Sequence, residues 1–76
     1  MQYIVTTRDV DGSDKRVYKT KKAALERFQH MLGYSVECAI ADQFYHLDNP
    51  PTFDDLNCVR GVSTYGCVVT IQKVEA

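Results

Sequence analysis

Apolar and polar positions alternate from the start of the chain. Over residues 2–9, Tyr3, Val5 and Thr7 fall opposite Ile4 and Thr6. A period of two in β-branched and aromatic residues predicts a strand. Asp11-Gly12 follows, and glycine takes positive φ without steric cost, so the pair predicts a tight hairpin. Residues 15–19, centred on Val17 and Tyr18, read as the returning strand.

The period then changes. From Lys21 to Leu32 the residues Ala24, Leu25, Phe28, Met31 and Leu32 recur at three- and four-residue steps, the spacing of one helical face. Thr20 stands at the N-cap, where its hydroxyl can accept an orphan amide proton. Gly33 stands where a helix stops in the left-handed conformation.

Residues 34–47 admit two readings. Val36, Ile40, Phe44 and Leu47 share a helical face behind Ser35, while Tyr34, Val36, Cys38 and Ile40 alternate as in a strand. Length and good helix formers favour a helix over 36–47. Asn49-Pro50-Pro51 ends it, because a residue before proline is driven out of the helical region. Thr52-Phe53-Asp54-Asp55 has the form of a capping box with aspartate in place of glutamate. It predicts a short helix from Phe53 to Arg60 that stops at Gly61. Tyr65, Cys67, Val69 and Ile71 then alternate with Gly66, Val68, Thr70 and Gln72. That pattern predicts a third strand, Tyr65 to Val74, paired with the first because these two are the most apolar.

The elements predict a single α+β domain over residues 1–76: a small three-stranded antiparallel sheet, N-terminal hairpin plus C-terminal strand, with two or three helices packed on one face. Composition agrees, with 45% hydrophobic and 25% charged residues, the balance of a folded chain rather than a disordered one. No apolar run approaches the roughly 18 residues of a membrane span. Met1 to Thr7 has neither a basic start nor an apolar signal core. A cytoplasmic location is expected, the host cytoplasm if a phage encodes the chain. Cys38, Cys58 and Cys67 form an odd set without a Cys-x-x-Cys pair, so they are expected to be reduced, buried thiols.

The net charge of −1 hides an asymmetry. Residues 1–33 carry seven bases against four acids, and residues 34–76 carry two bases against six acids. Such a chain can steer toward charged partners of either sign.

The stretch Asp9 to Lys22 tests three chemistries. An EF-hand loop needs glycine at position 6 and a bidentate glutamate at position 12. Counted from Asp9, the glycine comes too early and Thr20 stands at the last ligand position. No metal is expected. Lys15, Arg16, Lys19, Lys21 and Lys22 form the candidate nucleic-acid surface, but alternation along a strand divides them between two faces. Lysines on an edge strand also serve simply to block aggregation.

The second candidate surface is acidic and aromatic, in "FYHLDNPPTF" and the residues after it. Phe44, Tyr45 and Phe53 would act as protein-binding anchors, and Asp48, Asp54 and Asp55 would complement a basic partner. Asp54 and Asp55 also suit the first turn of a helix on electrostatic grounds alone. His30, His46 and the three cysteines lie in no nucleophile or ligand spacing. Phosphate loops, nucleophile elbows and paired-glycine fingerprints are missing. No catalytic residue and no cofactor are expected.

The expectation is a non-enzymatic protein-binding module that occludes a surface of a larger protein or nucleoprotein complex. Two alternatives stand beside it: a nucleic-acid-binding regulator using the basic hairpin, and a self-associating assembly protein, for example a homodimer. In size and charge layout the chain resembles the small inhibitors of host defence that phages and mobile elements encode, anti-CRISPR proteins among them. That resemblance is one of style and implies occlusion as the mode of action.

Overall fold

The computed structural model describes residues 1–63 and 66–75. Its elements run β1 (Gln2–Asp9), β2 (Gly12–Tyr18), α1 (Lys21–Leu32), α2 (Val36–Gln43), a 3-10 turn (Phe53–Asp55), β3 (Cys58–Val62) and β4 (Val68–Val74). The fold is α+β. The four strands make one antiparallel sheet in the order β2-β1-β4-β3, one strand more than predicted.

Local chemistry explains most boundaries. Asp9 pairs with Gly12 across a two-residue turn. The Asp9 carboxylate accepts the Asp11 amide proton at 2.8 Å, and Gly12 takes φ 141°. β2 therefore begins at the glycine, three residues before the predicted strand. Thr20 Oγ1 accepts the Ala23 amide at 3.3 Å, and Gly33 closes α1 at φ 88°. Ser35 Oγ accepts the Cys38 amide at 3.3 Å to start α2. The ambiguous stretch from 36 is thus helical.

Three sequence expectations need correction. The helix over 36–47 stops at Gln43, with Phe44 at its C-cap. Beyond that point Leu47 is 43% exposed and Tyr45 84% exposed, so little burial offsets the entropy of ordering more helix. The helix expected from Phe53 to Arg60 is a single 3-10 turn, and the chain is extended again at Leu56. Residues Cys58–Val62 form β3, with Val59 and Gly61 buried and Cys58, Arg60 and Val62 exposed. Pairing with β4 outweighs the weak helical preference of a segment rich in valine and glycine. The last strand starts at Val68 among the described residues, and its expected first residue, Tyr65, lies outside them.

Both helices lie on one side of the sheet. The core joins Val5, Val59, Val69 and Ile71 from the strands to Ala24, Phe28 and Leu32 from α1, Val36, Ala39 and Ile40 from α2, and Phe53. Fully burying a residue such as Phe28 contributes about 1.5–3 kcal/mol. β4 pairs with β1 as expected, which brings the two ends of the chain into the centre of the sheet.

Candidate interaction surfaces

Directly paired residues in an antiparallel sheet point to the same face. The register therefore sorts every strand residue. Tyr3, Val5, Thr7, Val59, Gly61, Val69 and Ile71 face the helices. The opposite face is formed by three rows that cross all four strands, Val17, Ile4, Gln72 and Cys58; Lys15, Thr6, Thr70 and Arg60; Ser13, Arg8, Val68 and Val62, and by the pair Gln2 and Val74 beside the first. None of these residues is buried, and Val17 and Val62 are 54% and 50% exposed. No element covers this side of the sheet among the described residues.

The open face has a single charge sign. Arg8, Lys15 and Arg60 stand on it, and the strand acids Asp9 and Asp14 are paired with Gly12 and Thr7 on the helix side. Among the described residues none of the three bases has an ion-pair partner. Arg8 and Arg60 line one shallow depression with Thr6, Val68 and Thr70. Lys15 and Arg60 close the two ends of the middle row, and with adjacent strands about 4.8 Å apart their Cα atoms lie about 14 Å apart.

The basic hairpin does not act as one patch. Lys15 joins the open face. Arg16 lies on the helix side, where its guanidinium donates to Asp14 at 3.0 Å and is held more firmly in its charged form by that hydrogen bond. Arg27 of α1 reaches the same carboxylate at 3.6 Å. Lys21 donates to Asp54 at 2.7 Å. That bond raises the affinity of Lys21 for its proton and lowers that of Asp54. Lys19 and Lys22 remain exposed at the start of α1.

The acidic aromatic segment is largely used within the fold. Phe53 is 3% exposed, sits 6.3 Å from the Tyr3 ring, and has the Lys73 ammonium 4.5 Å from its centroid. It is a core residue and not an available anchor. Phe44 packs half-buried against the core. Asp54 pairs with Lys21, and Asp55 accepts the Thr52 amide at 3.0 Å and the Thr52 hydroxyl at 3.1 Å. Tyr45 and Asp48 stay exposed, with Tyr45 edge-on to His46 at 5.8 Å.

The two sheet edges differ. On β3 the Tyr34 hydroxyl donates to the Val62 carbonyl at 3.1 Å, and the Gln43 amide donates to the Arg60 carbonyl. These bonds occupy acceptors that another strand would need. β2 is exposed along nearly its whole length. The thiols also depart from expectation, since Cys38 and Cys58 are exposed and Cys67 is half-buried. Among the described residues no three His, Cys, Asp or Glu side chains form a metal-binding group.

Arg8 and Arg60, which the sequence did not mark as candidates, join Lys15 on the open face. The signal for Arg8 was its parity with Ile4 and Thr6 in β1. The signal for Arg60 was the alternation of Cys58, Arg60 and Val62 with Val59 and Gly61, hidden under the short-helix reading. No protein-family model, curated protein or solved structure matches this chain.

Proposed function

We propose that this chain is a non-enzymatic binding module that covers a surface of a larger protein or nucleoprotein complex, and that the open sheet face is its working surface. The observation that carries the reading is the sorting of charge: Arg8, Lys15 and Arg60 share an uncovered face that carries no strand acid. A flat face with one charge sign steers and orients an anionic partner. An inhibitor of a defence complex, of the kind the chain resembles in size, would work this way. The exposed pair Tyr45 and Asp48 is the competing surface.

The test is capture of a stoichiometric partner from the source cells by wild-type protein and by two variants. One variant is Arg8→Glu with Lys15→Glu and Arg60→Glu; the other is Tyr45→Ala with Asp48→Lys. Both are checked by thermal melting. Loss of capture in the first variant alone supports the open face. Loss in the second alone, with both proteins folded, moves the working surface to the loop after α2 and ends this reading.

A further inference from the structure

We infer that the open sheet face takes the phosphate backbone of a double-stranded nucleic acid, an inference that rests on the open face being the working surface. The middle row runs Lys15, Thr6, Thr70, Arg60 across all four strands, with Arg8 two residues further along β1 from Thr6. Every member is a hydrogen-bond donor, and Lys, Arg and Thr are side-chain types that contact phosphate oxygens. The apolar residues Ile4, Val17, Val62 and Val68 lie in the flanking rows. A protein–protein interface has the reverse layout, an apolar centre inside a polar rim.

The choice of duplex follows from what the face offers a base. Single strands are held by stacking their bases on aromatic side chains. The rows contain Ile, Val, Thr, Ser, Gln, Cys, Lys and Arg, and no aromatic residue. A duplex keeps its bases stacked on one another and presents charged backbones instead. The bases at the two ends of the middle row, about 14 Å apart by strand spacing, suit contacts to separated phosphates. The binding is independent of sequence, because backbone contacts carry no base information.

The chain's net charge of −1 does not oppose this contact. Asp42, Asp48, Asp54 and Asp55 belong to α2, the loop after it and the 3-10 turn, outside the sheet. The nearer acids, Asp9 and Asp14, adjoin Arg8 and Lys15 in the chain but take the helix-side register, where Asp9 accepts the Asp11 amide and Asp14 meets Arg16 and Arg27. Arg8, Lys15 and Arg60 are the charges a docked backbone would meet.

The experiment is a fluorescence anisotropy titration of the full chain against four labelled probes. These are a mixed-sequence 20-base-pair DNA duplex, the RNA duplex of the same sequence, one separated strand, and polyglutamate of matched charge. The duplexes should bind more tightly than the single strand and polyglutamate. Three neutralised phosphates give a logarithmic salt slope of about −2.7, or about a 40-fold loss between 50 and 200 mM salt. Arg8→Gln with Lys15→Gln and Arg60→Gln should lose at least about tenfold in affinity while melting as wild type.

Equal binding of polyglutamate would overturn the inference in favour of an acidic protein partner. Tighter binding of the single strand would overturn it as well, and so would no duplex binding by a folded protein. The parent reading fails separately. If capture of the cellular partner depends on the open face but survives nuclease and no duplex binds, the working surface stands and the duplex falls. If capture ignores the open face, the working surface itself is wrong.

Discussion

Gly61 lies directly beneath Leu32, so a β-carbon on the glycine would overlap the Leu32 Cδ1 methyl. The same carbon would come within 3.2 Å of the Tyr34 hydroxyl and 3.3 Å of Phe28 Cζ. This contact seats the end of α1 on β3, and it requires a residue without a side chain. Gly61→Ala should therefore destabilise the protein by about 1–3 kcal/mol through overpacking, read by urea denaturation. Leu32→Ala should lose stability alone but couple with Gly61→Ala in a double-mutant cycle, by about 0.5–3 kcal/mol. Strict additivity would show that Leu32 and Gly61 do not meet.

Phe53 separates core from interface. Its ring is 3% exposed and packs beside Tyr3 and Lys73. Phe53→Ala should cost about 3–5 kcal/mol of stability, a large share of what a domain this small holds. Tyr45→Ala, at a residue 84% exposed, should move stability by less than about 0.5 kcal/mol. Thermal melting of the two variants side by side checks the contrast. A native-like melt for Phe53→Ala would return that residue to the surface.

The helix caps make a local prediction. Thr20→Ala and Ser35→Ala each remove an oxygen that accepts an amide proton at 3.3 Å. Each should lose about 0.5–2 kcal/mol, and Thr20→Gly only a few tenths. Because the caps serve different helices, the two alanine effects should add. Amide hydrogen exchange at Ala23 and Cys38 should rise selectively in the matching variant. Unchanged protection at those amides would remove the assigned caps.

The Lys21–Asp54 pair predicts a pH dependence. Lys21 donates to Asp54 at 2.7 Å and holds its carboxyl below the ordinary aspartate range. A carboxyl whose folded value is depressed stabilises the fold above its unfolded value, and loses that contribution as pH falls through the folded one. Lys21 is raised for the same reason. Its share is complete below the ordinary lysine value and is lost as pH rises through the raised one. Lys21→Met should move the Asp54 titration upward toward the ordinary aspartate range, measured by carboxyl NMR from pH 2 to 6. The stability change should be small, because the pair is solvent-exposed.

Much of this architecture is legible in short windows of the chain. Asp11-Gly12, Thr20, Gly33, Ser35 and the Thr52–Asp55 box each act through hydrogen bonds spanning a few residues, so local chemistry alone places the hairpin and the helix starts. The buried alternation of Val69 and Ile71 also marks β4 without its neighbours. Three matters belong to the tertiary structure. Cys58–Val62 becomes a strand because β4 offers it a partner, and a five-residue window cannot see that partner. Phe53 becomes core because Tyr3 and Lys73, distant in sequence, meet around it. Arg8, Lys15 and Arg60 become one surface because antiparallel register places residues from three strands on one face. Parity along a single strand says which residues share a side, but only long-range pairing decides which sides join and which of them the helices cover.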